Sequence, residues 1–589
     1  MLFFYNFEGY NNHRRAAIDY ELEKNNRHMK HSVFVIAALS GILLQAVRTE
    51  ACTNLIVGKK ASADGSVMVS YNYDGVGSIF SSSLTFVSAG RHEPGEFIAV
   101  RHQNDSSQVY YFPQVPYTYS VKGHMNEKQV ALTETTWNGR KELHNKDGII
   151  TYRHLMSLAL QRASTAREAI AIIHNLSQEH GYNSTGESIA VCDKNEAWLM
   201  EIIGKGPGRK GSVWVALRIP DDCVCATANC SRIRQFPQTR KVDKKLGFCV
   251  VPDVCMYSAD VISFAKEMGY YSGPDADFSF RDAYCPLNFR LIRNCEARVW
   301  SFFRHHYSHE AMDAYLPFLN GDLRQHDHLP MWIKPDAPLS YRDLQNDMRD
   351  HYEGTALDMT VDMSAGPWAS PYRDHNTFYE GPEGEKMFHE RPIGCAQSVF
   401  AMVCRMRSWL PDAVGGVTYM NYDDATTVAY VPVYCGVSRM PAQFRRENNA
   451  FRRFSENSAF WMCNFVSNMV YPRYSAMIGD LRIAQKELED YYEEDQKRVE
   501  AEVLAMKSST DVTNYLTLKC EAYTDKMMAR WKKLAEFLIV RHNDQVMYPV
   551  ENGEVRQKGR RATPAYSPSF TEAIRDRTGD RYVVKELIR

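Results

Sequence analysis

Apolar and polar positions fall into a strand-turn-strand pattern just after residue 50. Cys52-Thr-Asn-Leu-Ile-Val57 is a run of β-branched and apolar residues, Ala63-Asp-Gly65 has the composition of a tight turn, and 66–72 returns as a second strand. The period then changes to that of helices. Residues 152–162 predict one helix, and a second opens at Thr165 with Glu168 three positions on, the spacing of a capping box. Its Ala169, Ile172, Ile173 and Leu176 make one apolar face that should cover a sheet. Residues 187–193 and 196–203 read as a hairpin, 212–219 as a further strand, and 399–409 and 416–433 as core strands. Beyond Tyr471 the chain becomes rich in Glu, Lys, Leu and Ala, and 475–507 and 511–540 predict a pair of long helices packed on the main body.

A different pattern precedes the first strand. Residues 32–47 are apolar and uncharged, follow Lys30 and His31, and lead to small residues at Thr49 and Ala51. This is the layout of a secretory signal peptide, and the run is short for a membrane span. The chain therefore divides into a leader (1–51), a catalytic domain (52–470) and a mainly helical C-terminal extension (471–589). The expected location is the periplasm or the exterior, with membrane contact only through the signal before cleavage. Cleavage after Ala51 would leave one residue carrying a thiol nucleophile and a free α-amine, a base with a pKa near ~8. Lipoproteins also begin at a cysteine, but Thr49 and Glu50 depart from the usual lipobox, which has an apolar residue at the −3 position.

Composition narrows the function classes. A chain of 589 residues can bury a large core, and a formal net charge of −1 gives no general attraction for nucleic acid. Fourteen cysteines are too sparse for a disulfide scaffold. Cys223, Cys225 and Cys230 lack a Cys-x-x-Cys pair or matching histidines, so they read as core or disulfide residues and no metal site is expected. The glycine-rich stretch 204–211 lacks the Gly-Lys-Ser/Thr ending of a phosphate loop and reads as a strand connection. No Gly-x-Ser-x-Gly elbow supports a serine hydrolase. The expected chemistry needs no cofactor.

Six short pieces carry a family resemblance: Ala51-Cys-Thr-Asn-Leu-Ile-Val-Gly58, Met125-Asn-Glu-Lys128, Glu134-Thr-Thr136, Ala226-Thr-Ala-Asn-Cys-Ser-Arg232, Glu296-Ala-Arg-Val-Trp300 and Arg349-Asp-His-Tyr-Glu-Gly354. In this order they resemble the cysteine-type dipeptidases of peptidase family C69, among the N-terminal-nucleophile hydrolases. The resemblance implies an α+β fold, a four-layer αββα sandwich, acting on dipeptides. It implies that Cys52 is the nucleophile with its own amine as base. Related choloylglycine and penicillin acylases have Arg-x-x-Asp after the first hairpin; here Asp74 matches and the arginine position is Tyr71. Asp74 is then expected to hold the ammonium or orient the base, the alternative being a turn cap before Gly75. Asn229 matches an oxyanion-hole asparagine, and Thr136 falls where those relatives place a second one. Arg298 matches an arginine near the nucleophile, the alternative being an ion pair with Glu296. Asn126 and Glu127 are expected to shape a turn, Glu134 either to meet a substrate amine or to be solvated, and His351 to be a core or substrate-region residue. Two other readings stay open: an N-acyl amidase of the choloylglycine or penicillin V acylase type, and a lipid-anchored protein without catalysis. A homo-oligomer is compatible with each.

Overall fold

The first strand and its return form as expected. In the computed structural model, which describes residues 51–75, 86–101, 107–373, 377–449, 453–556 and 558–585, β1 (Ala51–Val57) pairs antiparallel with β2 (Val67–Asp74). The leader and its apolar segment 32–47 lie outside the described residues. Gly65 turns the chain with φ of 83°, a left-handed value that favours glycine. Asp64 secures the same turn by accepting from Ser62 Oγ at 2.8 Å and Ser66 N at 3.0 Å. The register sets Ala51 opposite Asp74 and Cys52 opposite Tyr73, so Cys52 and Asp74 share one end of the hairpin.

Four longer strands, β3 (Ala131–Thr136), β4 (Glu187–Cys192), β5 (Ala197–Gly204) and β6 (Ser212–Arg218), are the centre of a nine-stranded antiparallel sheet. Between β3 and β4 come α1 (Tyr152–Arg162) and α2 (Ala166–His180). Thr165 caps α2 by accepting from Glu168 N at 3.2 Å, while the Glu168 carboxylate reaches one residue further back, to Ser164 N at 2.8 Å. Period-two alternation then sorts the side chains of β4. Ile189 and Val191 join a buried cluster with Leu155 of α1 and Ile173 of α2. Ala190 and Cys192 join a second cluster, with Leu55 of β1 and Val69 of β2. The glycine-rich stretch links β5 to β6, as expected for a strand connection.

The second sheet has seven antiparallel strands. With β7 (Val224–Thr227), β8 (Trp332–Ile333), β9 (Phe400–Met406), β10 (Val417–Tyr422) and β11 (Val431–Tyr434), its order is β8-β7-β1-β2-β9-β10-β11. β1 and β2 are interior strands, which is why every β2 residue is buried. Around this sheet lie α3 (Ala297–His306), α4 (Tyr341–Asp347), α5 (Ala459–Val470), α6 (Tyr474–Ala505) and α7 (Ser509–Arg541). Leu481 and Leu488 of α6 and Leu516 and Trp531 of α7 belong to the same buried cluster as β1 and β9–β11. Glu489 of α6 also accepts from Arg349 at 2.5 Å and from the backbone N–H of Tyr430 at 3.1 Å. The chain is thus a mixed α+β fold of antiparallel sheets and helices. All fourteen cysteines are buried and no disulfide forms among the described residues. No helix among them is long and apolar enough to cross a membrane.

Candidate active site

Cys52 sits near the start of β1, fully buried, and its backbone is held on both sides. Its N–H donates to Asn229 Oδ1 at 2.8 Å. Its carbonyl accepts from Arg298 at 2.8 Å, and the same guanidinium nitrogen donates to Thr53 Oγ1 at 2.8 Å. The other terminal nitrogen of Arg298 donates to Asn229 Oδ1 at 3.0 Å and Ala228 O at 3.3 Å. Arg298 projects from the first turn of α3, so the helix places a fixed positive charge beside residue 52. Asn229 follows β7 in the left-handed region, φ 56°, where asparagine is tolerated better than most residues. Its Nδ2 donates to Thr136 O at 2.6 Å. Cys52, Asn229, Arg298 and Thr136, spread over 246 positions of sequence, thus form one connected set.

The thiol faces oxygen atoms. Sγ lies 3.9 Å from the Tyr71 hydroxyl and 3.9 Å from Glu134 Oε1, and Tyr71 itself donates to Glu134 Oε1 at 2.6 Å. Burial, then the charges at Cys52 and Glu134, pushes the Tyr71 phenol well above its usual range. Tyr71 stands at the position where the acylase pattern has arginine, and it supplies a neutral hydroxyl instead. Thr136 Oγ1 donates to Glu134 Oε2 at 3.3 Å.

Asp74 joins the site through a partner that sequence reasoning missed. Arg391 donates to its carboxylate at 3.1 Å and Ser398 Oγ at 2.6 Å. Arg298 acts on Asp74 only through space, since its own donors go to other acceptors. Burial raises the Asp74 carboxyl above the ordinary value, against the pull of Arg391, Ser398 and Arg298. The alternative pairing of Arg298 with Glu296 does not form; Glu296 lies 3.3 Å from Arg232 Nε. Arg391 lies 317 positions from Asp74, so no local spacing could have announced it.

The remaining sequence candidates separate cleanly. Asn126 is a turn residue: its Nδ2 donates to Leu160 O and Ala163 O at 2.7 Å each, and its Oδ1 accepts from Lys128 N and Val130 N. Glu127 accepts from Ser120 N at 3.2 Å in the same region. His351 is buried, with Nδ1 2.8 Å from Glu353 and Nε2 2.9 Å from Thr426 Oγ1. Among the described residues no group of three or more His, Cys, Asp or Glu could hold a metal ion.

Beside the thiol a cavity of about 100 Å³ is lined by Tyr71, Tyr73, Val121, His124, Glu134 and Met156, among others. Its lining mixes apolar side chains with polar and charged ones, Arg153 among them, and Glu134 is the lining carboxylate that also approaches Cys52.

Peptidase family C69 matches residues 51–487, from the residue before the candidate nucleophile into α6. The chain is 27% identical over 419 residues to a probable dipeptidase of Salmonella dublin, covering 68% of this chain and 84% of that one. It is 23% identical over 497 residues to a probable dipeptidase of Latilactobacillus sakei, covering 80% and 91%. It is 24% identical over 510 residues to dipeptidase A of Lactobacillus helveticus, covering 82% and 93%. With three quarters of the chain inside the family match and a buried thiol at its first residues, the protein belongs to peptidase family C69.

Proposed function

We propose that this protein is a dipeptidase that uses Cys52 as an N-terminal nucleophile after removal of a leader at Ala51. One observation carries the reading: the Cys52 backbone is clamped by Asn229 and Arg298 while its thiol points at Tyr71 and Glu134. The names of the relatives support dipeptides as substrates. The two sheets and the helices against them are read as the four-layer αββα sandwich of N-terminal-nucleophile hydrolases. The leader composition supports export.

The chemistry follows from a thiol and an amine on one residue. While Ala51 is attached, the nitrogen of residue 52 is an amide and has no basic lone pair. Once freed, the amine takes the thiol proton, directly or through a water, and the thiolate attacks the scissile carbonyl carbon. A C–S bond forms and the carbonyl electrons move to oxygen. The Asn229 side-chain amide, whose Nδ2 donates to Thr136 O, is assigned to the developing oxyanion. Collapse breaks the C–N bond, and the ammonium of Cys52 gives its proton to the departing amine. Water then attacks the thioester, the amine takes its proton, the C–S bond breaks and the thiol is restored. Asn229 Oδ1 orients the amine throughout, Arg298 fixes the carbonyl of the same residue, and Asp74 with Arg391 braces the adjacent strand end.

The test is intact mass and N-terminal sequencing of mature protein before and after a thiol-directed alkylator, with dipeptide hydrolysis assayed on both samples. A chain beginning at Cys52, alkylated once there and losing activity in step, is expected. A chain that begins elsewhere, carries lipid on Cys52, or prefers a glycine-conjugated bile salt to a dipeptide refutes the reading.

A further inference from the structure

A second carboxylate lies behind Glu134. Thr136 and Glu187 are directly opposite in the β3–β4 register, and Glu134 is two residues from Thr136, so the three side chains share one face of the sheet. The Glu187 carboxyl meets Glu134 and the Thr136 hydroxyl. Ser184 Oγ donates to Glu187 Oε1 at 2.8 Å, but Oε2, fully buried, has no hydrogen-bond partner among the described residues. Burial and the neighbouring Glu134 charge push Glu187 well above the usual carboxylate range.

The cavity wall, which also carries Arg153, adds one more acceptor. His124 Nδ1 lies 2.9 Å from the carbonyl of Leu132, which makes that nitrogen the N–H donor and leaves Nε2 a bare acceptor. Burial holds this ring neutral, lowering its pKa to about 4. Nε2 is buried and has no partner among the described residues. His124 and Glu134 line the same cavity. Buried acceptors without donors are costly, and a ligand bringing several N–H groups would satisfy them.

We infer that Glu134 and Glu187 form the subsite for the substrate's α-ammonium, so the N-terminal residue of the dipeptide is transferred to Cys52 and its side chain fills the cavity. The inference rests on the dipeptidase reading above. Its geometry is consistent. In an aminoacyl thioester the amine nitrogen lies three bonds from sulfur, through the carbonyl carbon and Cα, at about 3–4 Å. Glu134 Oε1, 3.9 Å from Sγ, is within hydrogen-bonding reach of a nitrogen so placed. The opposite polarity would bring the dipeptide's carboxylate toward this negative pair and is disfavoured by like charge. Val121 and Met156 on the cavity wall suit an apolar first side chain.

The test compares an unblocked apolar dipeptide with its des-amino analogue, in which hydrogen replaces the α-ammonium. The wild-type enzyme is expected to favour the dipeptide in kcat/KM by at least about 100-fold, because the analogue leaves the carboxylates unmatched. Glu134→Gln and Glu187→Gln should each shrink that ratio by about tenfold or more. Iodoacetamide labelling of Cys52 in each variant shows that the nucleophile is folded and reactive. Equal turnover of both compounds by wild-type enzyme, or an undiminished ratio in both variants, overturns the inference; the first needs no variant to fold. A dipeptide cleaved without preference for the ammonium leaves the dipeptidase reading standing and removes this subsite. Failure to cleave any dipeptide removes both.

Discussion

Asp347, at the end of α4, and Glu187, on β4, are both buried carboxylates, yet their environments act in opposite directions. Burial opposes ionisation at each. At Asp347 it is outweighed by His305 Nδ1 at 3.0 Å and His306 Nε2 at 2.8 Å, which hold the carboxyl below its ordinary value. At Glu187 the charge that acts most strongly is another carboxylate, and the group is pushed up. Asp347 ties the C-terminal end of α3 to α4 with its charge already matched, and nothing further is needed there. Glu187 keeps an acceptor atom without a hydrogen-bond donor among the described residues, next to Glu134, the carboxylate that approaches the candidate nucleophile. A buried carboxylate with its cation in place reads as structure; one facing a second carboxylate reads as a place for a ligand.

The same contrast orders the expected effects of substitution. Cys52→Ala removes the only group in the account able to bond covalently to substrate, so dipeptide turnover should fall by at least about 10⁴-fold. The fold should survive, as judged by circular dichroism and the unfolding midpoint. On the matched side, Arg391→Met strips Asp74 of its buried cation and should destabilise by about 3–5 kcal/mol. Denaturant unfolding checks this, and pairing it with Asp74→Asn should recover part of the loss. Asn229→Ala should lower kcat by about 10²–10³ with little change in KM, the signature of a lost oxyanion donor. A rise in KM alone would assign Asn229 to ground-state binding.

The smallest effect concerns pH. Burial opposes the charge on His305, but its hydrogen bond to Asp347 and the charge of Asp350 raise it from 6.5 to about 9. A raised histidine contributes stability in full below 6.5, and that contribution disappears as pH climbs through about 9. The unfolding midpoint of the wild-type protein should therefore drop between those values more steeply than that of His305→Gln. Parallel curves would remove the charged pair from the account of α3.

How far the sequence carried this picture depended on distance along the chain. The β1–β2 hairpin, α1, the Thr165 cap of α2 and the two long C-terminal helices were legible because their signals are local: turn residues, caps and period. Cys52, Asn229 and Arg298 were legible through short family pieces, and the structure joins them by direct hydrogen bonds. Arg391 was not, because its relation to Asp74 exists only once β2 and the segment before β9 are brought together. Tyr71 looked like the loss of an arginine, and only the contact with Glu134 shows what its hydroxyl does. The 471–589 segment read as an extension because composition changes at Tyr471. Its helices pack on the main body as expected and share a core with β1 and β9–β11, while an amphipathic stripe alone did not reveal which surface it covers.

The most direct test of the central claim is the rate of dipeptide hydrolysis by two forms of the same chain, one beginning at Cys52 and one retaining a residue before it. The account predicts turnover only when Cys52 has a free α-amine, with the extended form inactive although its thiol is present. Equal rates from the two forms would contradict it, because an amide nitrogen cannot serve as the base.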